Sequence, residues 1–370
     1  MLFKRVSAAW LITFLCLFTI VLLLAFPEVS LQAAAKGVAI WWDVLFPALF
    51  PFLVIAEVML GFGIVHFFGT LLDPLMRPLF GVPGIGGFVM AMGFASGYPV
   101  GARLTAQLWE QGLINRIEGE RLAGFSTTSD PIFLIGAVSV GFFGDPSLAP
   151  ILAIAHYGGA VLVGLAMRWV GPRPQPVVPA PGANLARREF VLARALRAMH
   201  WARLADGRTF GTLLKVAVYQ ALQLVLMIGG LVVFFSVVID VMTTAHIMSV
   251  LHTLINAVFK LVAVPPALTQ AIVNGLFEVT LGAKAAGAAG GAIPLSAKTA
   301  IAALVLSWGG LSVHAQIVSL LHHTNLRYGP FLFARLLHSV LSCALVVLLW
   351  EPLQPLRGAA ETFLTMMSWD

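Results

Sequence analysis

Charge is scarce in this chain. Asp, Glu, Lys and Arg together make up 10% of its 370 residues, against about 25% in soluble domains. Hydrophobic residues reach 59%, more apolar surface than a soluble fold can hide. Cysteine is nearly absent: Cys16 and Cys343 stand alone in separate apolar segments, which excludes a disulfide framework and a CxxC metal site. No HExxH, GxSxG or P-loop pattern occurs, so the signatures of the commonest hydrolytic and nucleotide chemistry are missing. Neither an enzyme, a cofactor nor a resident metal is expected. Sustained ten-residue alternation is missing too, which argues against a transmembrane barrel. The net charge of +6 sits in loops, where membrane topology explains it better than nucleic acid does.

What is present is a series of apolar runs near the ~20 residues needed to cross a bilayer. The reading is an all-α polytopic membrane protein, because backbone in lipid must satisfy its own hydrogen bonds. Lys4 and Arg5 precede a run over 6–26. It is longer than a signal-peptide core, so a retained anchor is expected over 1–37, although Ala33-Ala34-Ala35 would suit cleavage. A first membrane repeat is expected over 38–171, with spans at 44–68 and 148–169. Between them Pro74, Pro78 and Pro83 mark a connection, and 84–96 is apolar but too short to cross. A Pro-rich, basic linker over 172–212 follows, with Leu192, Leu196 and Met199 on one side of an amphipathic surface helix. A second repeat is expected over 213–352, with spans at 213–239, 298–321 and 329–350, and then a tail over 353–370.

Each half contains an apolar stretch interrupted by Gly, Pro and polar residues and ending in a cation. The first is Ser96-Gly97-Tyr98-Pro99-Val100-Gly101-Ala102-Arg103, and the second runs from Asn274 through Glu278 and Thr280 to Lys284. Interrupted segments in matching positions of two halves point to the binding site of a secondary transporter. They read as re-entrant hairpins or broken helices. The linker carries the densest positive charge, so it belongs in the cytoplasm. Counting crossings from a cytoplasmic N-terminus then gives two inverted-topology repeats.

Several side chains could carry chemistry. A broken helix leaves free N–H groups that attract anions, and Arg103 and Lys284 could complete a site for an anionic small molecule. Arg103 could equally snorkel to the interface. Ser126-Thr127-Thr128-Ser129-Asp130-Pro131 gathers hydroxyls and a carboxylate before a helix-starting proline; Asp130 or Ser129 would also serve as an ordinary N-cap. Ser307 is its counterpart in the other half. The expected substrate-binding set is Ser96, Gly97, Tyr98, Gly101, Arg103, Thr127, Thr128, Ser129, Asn274, Thr280, Lys284 and Ser307. Asp130 and Glu278 are the candidates for coupling a proton or a sodium ion, with a structural ion pair as the alternative for Glu278. Isolated Glu57, His156, His314 and His338 suit interhelical hydrogen bonds, and the loop pair His322-His323 is only a weak metal signal. A homo-oligomer is left open.

Further segments carry a resemblance. They are Phe46-Pro47-Ala48-Leu49-Phe50-Pro51-Phe52, Pro74-Leu75-Met76-Arg77-Pro78-Leu79-Phe80, and Gly93-Phe94-Ala95-Ser96-Gly97-Tyr98-Pro99-Val100-Gly101-Ala102. Glu118-Gly119-Glu120-Arg121-Leu122, Thr128-Ser129-Asp130-Pro131, Ala153-Ile154-Ala155-His156-Tyr157 and Glu278-Val279-Thr280-Leu281-Gly282-Ala283 join them. With these the chain resembles the YlbJ (SpoVV) family of sporulation integral membrane proteins over nearly its whole length, least in the basic linker. The resemblance implies a Gate-type, nucleoside-recognition membrane domain distantly similar to concentrative nucleoside transporters. It also implies a bacterial cell-membrane location, in the outer forespore membrane, and a role in moving dipicolinic acid, a small aromatic dianion. A nucleoside-type transporter and a non-transporting scaffold for spore-envelope assembly are the alternatives.

Overall fold

A computed structural model describes residues 2–171, 190–262 and 264–356. The Pro-rich part of the linker, with Arg187, Arg188 and Glu189, and the tail beyond residue 356 lie outside them. The described residues are helical, with no strand among them.

Helix α1 (Leu2–Ala25) meets α2 (Pro27–Ile40) at a bend of 102°. Pro27 sits at the first position of α2, where its missing N–H costs nothing. Beyond the bend the chain stays helical through the π-helical Trp41–Leu45 into α3 (Phe46–Gly61). The expected single span over 44–68 is therefore corrected: α3 ends at a glycine pair, and α4 (Ile64–Phe80) leaves at 83°. Gly63 makes this turn with φ +74°, a region that favours glycine. Pro74 and Pro78 lie within amphipathic α4 rather than in a connection.

The first half continues with α5 (Ile85–Ser96), α6 (Tyr98–Glu110), α7 (Arg116–Ser126), the π-helical Phe133–Phe142, and α8 (Ala149–Met167). Helix α7 is opened by a capping box between Asn115 and Glu118. Linker helix α9 (Val191–Asp206) packs on α4. It docks through small residues. Ala195 is fully buried and Ala202 approaches Gly63, while Leu192 and Leu196 are exposed. Small residues let the two backbones close up, and the larger apolar side chains are left facing outward.

The second half comprises α10 (Phe210–Thr244), α11 (Met248–Leu261), α12 (Thr269–Phe277), α13 (Val279–Gly287), α14 (Leu295–Trp308), α15 (Gly310–Leu321) and α16 (Tyr328–Leu349). Both halves thus run in one order: a span (α3; α10), an amphipathic helix (α4; α11), a hairpin (α5–α6; α12–α13), a broken span (α7 and Phe133–Phe142; α14–α15), and a closing span (α8; α16). Among the described residues four helices are long and apolar enough to cross a membrane, or six if each bent pair is one span.

Contacts between equivalent elements fix their relative direction. Lys36 meets Asp240, the Trp41 indole donates to the Val225 carbonyl, and Gly61 abuts Leu213. Numbers rise on one helix as they fall on the other, so α2–α3 and α10 run antiparallel. The closing spans α8 and α16 also pack on each other, Gly158 facing Leu345 and His156 reaching His338. Antiparallel equivalents are what inverted repeats require.

Candidate functional site

Four chain breaks, two from each half, meet at one place. Between α5 and α6, Gly97 (φ +89°) turns the backbone, and a Cβ there would stand 3.2 Å from an Asp130 carboxylate oxygen. Against it lies the buried, non-helical segment 127–130, which separates α7 from the π-helical stretch. Pro131 disfavours helical backbone at Asp130, whose Oδ1 accepts the Phe133 N–H at 2.8 Å. In the second half α12 and α13 part at extended Glu278, whose Oε2 accepts the Leu281 N–H at 2.8 Å. Against that break sit Gly309 and Gly310, both left-handed (φ +85° and +74°), which separate α14 from α15. A Cβ on Gly310 would meet the Phe277 carbonyl at 2.9 Å, so only glycine lets the second pair of breaks close. The expected uninterrupted span over 298–321 is corrected accordingly.

Breaking a helix orphans backbone groups that cost free energy when buried. The carbonyl ends here are covered by side chains from elsewhere. Tyr98 Oη donates to the Leu306 carbonyl at 2.6 Å, and Trp308 Nε1 to Leu276 at 3.3 Å. His314 Nε2 bonds the Trp308 carbonyl at 3.2 Å while its Nδ1 takes the Tyr328 hydroxyl. Fully buried Arg335 reaches further: it donates to Gly124 and Thr127 at the end of α7 and to Ser307 at the end of α14. One guanidinium therefore pins both broken spans.

A histidine chain stands behind the breaks. The Ser129 N–H donates to His156 Nε2 at 2.9 Å, so that nitrogen is an acceptor and Nδ1 carries the proton. Nδ1 faces Ser307 Oγ at 2.9 Å, and Ser307 donates on to Ser342 at 2.8 Å. His338 Nε2 donates to the His156 carbonyl at 2.7 Å. This chain crosses from one repeat to the other.

The N–H ends are treated differently. All four subsequent half-helices point their first turn at a common cavity of about 50 Å³. Asp130 and Glu278 cap two of them. The N-termini of α6 and α15 have no side-chain cap. Ser96 and Ser312 line the cavity from opposite halves, are nearly fully buried, and have no hydrogen-bond partner. Thr280 and Gln316 add polar atoms; Leu45, Leu49, Leu53, Leu224 and Ile228 from the two long helices form an apolar wall. Two uncapped helix ends and two unspent hydroxyls thus face the cavity beside the carboxylates of Asp130 and Glu278.

Of the residues expected from sequence, Ser96, Gly97, Tyr98, Asp130, Glu278 and Thr280 line this cavity. The others are elsewhere. Gly101 is a packing residue, since a Cβ there would lie 2.5 Å from the Ser126 carbonyl. Thr127 and Thr128 spend their hydroxyls on the Ala123 and Gly93 carbonyls. Ser129 and Ser307 belong to the histidine chain. Asn274 accepts from Gln270 outside the cavity. Arg103 lines a different cavity, 3.8 Å from Glu57, and Lys284 is exposed. The His322–His323 pair splits: His322 bonds the Ser319 carbonyl and His323 meets Glu110. Sequence reasoning missed Ser312, Gln316 and Arg335, although a lone Arg in the last apolar span is itself a signal.

A family profile described as Gate, nucleoside recognition, matches residues 43–161, which include the first hairpin and the first broken span. The chain is 41% identical over 341 residues, 91% of its length, to "Sporulation integral membrane protein YlbJ" of Bacillus subtilis (strain 168), of which it covers 81%. No solved structure matches the chain.

Proposed function

The chain belongs to the YlbJ family of sporulation integral membrane proteins, and from that premise we propose that it carries a small carboxylate, dipicolinic acid, across the outer forespore membrane by alternating access. The observation that carries this reading is the meeting of four half-helix N-termini from antiparallel repeats, two of them uncapped. The α15 end offers oriented N–H groups to one carboxylate; at α6, where Pro99 has no N–H and the Val100 N–H bonds the Gly97 carbonyl, the Tyr98 N–H is the donor. A dianion with two carboxylates suits two such ends, one in each repeat, with Ser96 and Ser312 as hydrogen-bond donors beside them. This replaces Arg103 and Lys284 as the source of anion attraction at the junction.

A cavity of about 50 Å³ is far below the roughly 300–1,000 Å³ of small-molecule pockets. The conformation is thus closed, and loading requires the breaks to separate. Movement of one repeat against the other is the usual route in inverted-repeat transporters. The ties from Tyr98 to Leu306 and from Arg335 to both broken spans are the contacts such movement must preserve or exchange.

Radiolabelled dipicolinate uptake into proteoliposomes tests the proposal. The double variant Ser96→Ala, Ser312→Ala removes hydroxyls that bond nothing, so it should fold as the parent does. Uptake at low substrate concentration should nevertheless fall at least tenfold. Undiminished uptake, or none by the parent protein, would refute the assignment. The profile's own description favours a second reading, a nucleoside as cargo. Competition of nucleosides against dipicolinate for the purified protein separates the two.

A further inference from the structure

A second cavity, of about 330 Å³, lies next to the first and is markedly more polar, with Glu57, Arg103, Gln107, Arg208 and Gln220 on its walls. Three helices supply walls to both cavities. On α3 and the π-helical turn that leads into it, Leu45, Leu49 and Leu53 face the closed junction, and Glu57 and Leu60 face the polar cavity. These are steps of three and four, so they form one stripe on one helix face. On α10 the stripe runs from Leu213 through Ala217 and Gln220 to Leu224 and Ile228, passing from the polar cavity to the junction. On α6 it runs from Pro99 at the junction to Arg103 and Gln107 in steps of four. The two cavities are therefore stacked end to end along the same three helices, and the transition between them is an apolar layer of Leu53, Val100 and Leu224.

We infer that the polar cavity is the vestibule in which an anionic substrate waits on the linker side before the junction opens. The inference rests on the transport reading above and extends it to residues outside the junction. The volume reaches the range of small-molecule sites, as the closed junction does not. Arg103 is 3.8 Å from Glu57, too far for a hydrogen bond, and its side chain is 42% exposed. Its ion pair with Glu57 thus leaves the fork of donors free of a direct hydrogen bond to that carboxylate, and the fork can take a second one. Glu57 is steadied from the other side: with its amide turned to face the carboxylate, Gln220 donates to both oxygens at 2.9 and 3.1 Å.

The surroundings favour an anion. Arg208 stands where the linker enters α10, held by Asp206 through a 2.8 Å hydrogen bond. That bond keeps the Asp206 carboxyl below the usual carboxylate range, so this pair stays ionised. Arg203 also pairs with Asp206, so two arginines share one carboxylate there, and a net positive charge of this kind raises the local concentration of anions. A further polar cavity shares His66 and Ile85 with the vestibule and extends it under α9 past Thr70 and Asp73. The polar route thus runs from the linker surface to the apolar layer.

Cysteine accessibility tests this. In a background with Cys16 and Cys343 replaced, Gln107→Cys or Val216→Cys places one thiol in the vestibule. A water-soluble anionic methanethiosulfonate added on the linker side of oriented vesicles should modify either position. Saturating dipicolinate should slow that modification at least tenfold, and Arg103→Ala should abolish the protection. Having two positions keeps the test alive if one variant fails to fold. Absent labelling, or labelling that dipicolinate leaves unchanged, overturns the vestibule. Uptake by the parent protein is measured separately. Protection without uptake would uphold the vestibule and sink transport, whereas uptake without protection would do the reverse.

Discussion

Tyr98 donates its hydroxyl to the Leu306 carbonyl at 2.6 Å, so the hairpin break of the first repeat closes the end of a broken helix in the second. Both groups are buried, and the carbonyl has lost its helical partner because the chain breaks at Gly309. Tyr98→Phe keeps the ring's packing and removes only this donor. An unpaired buried acceptor costs about 1–3 kcal/mol, so the apparent melting temperature in detergent should fall by several degrees. An unchanged melting temperature would mean that the tie contributes nothing.

Arg335 carries a heavier load, because its three carbonyl partners lie on two different helices. Lys keeps the charge but not the fork, so it can serve one helix end at a time. Arg335→Lys should therefore destabilise the protein by roughly 3 kcal/mol, the loss of one or two charge-assisted bonds in a dry site. Cross-linking between α7 and α14 provides an independent measure: the spacing should loosen in the variant and stay fixed in the parent.

Close backbone approach makes a separate prediction. A Cβ on Gly93 would lie 2.0 Å from the Ser126 carbonyl oxygen, and one on Gly101 would lie 2.5 Å from it. The α5–α6 hairpin thus grips that carbonyl from both arms. Gly93→Ala should cost roughly 3 kcal/mol or prevent accumulation, by forcing backbone apart in a packed site. Gly230→Ala is the control, since nothing stands within 4 Å of its Cβ position. There the gain in helix propensity should be neutral or stabilising by up to about 1 kcal/mol.

How much of this was legible follows from what each break looks like as sequence. The 96–103 and 274–284 breaks announce themselves, because proline, glycine and a charge interrupt an apolar run. The Gly309–Gly310 break does not, being two glycines among 35 with no polar neighbour to mark it. Arg103 and Lys284 were assigned by proximity along the chain, which helix geometry does not respect. Five residues after Tyr98, Arg103 is rotated about 140° around α6, onto the face of the vestibule. The hydroxyls of 126–129 are a third case. Their residue types suggested ligand contacts, whereas Thr127 and Thr128 bond backbone carbonyls because an unwound, buried segment needs local partners. Repeat order is more legible, since it depends on long apolar periods rather than on single side chains.

The carboxylates at the junction give the last prediction. Asp130 and Glu278 line one cavity from opposite repeats, and neither has a cationic partner among the described residues. A buried carboxylate without a counter-charge is costly, and on the transport proposal each would hold a coupling cation while the junction is closed. The amide oxygen of Gln can still accept the Leu281 N–H, and that of Asn the Phe133 N–H, so Glu278→Gln and Asp130→Asn should keep their helix caps and melt close to the parent. Uptake driven by an imposed proton or sodium gradient should fall at least tenfold in one or both variants, while exchange at equal concentrations persists. If both variants respond to the gradients as the parent does, the two carboxylates are caps alone and coupling lies elsewhere.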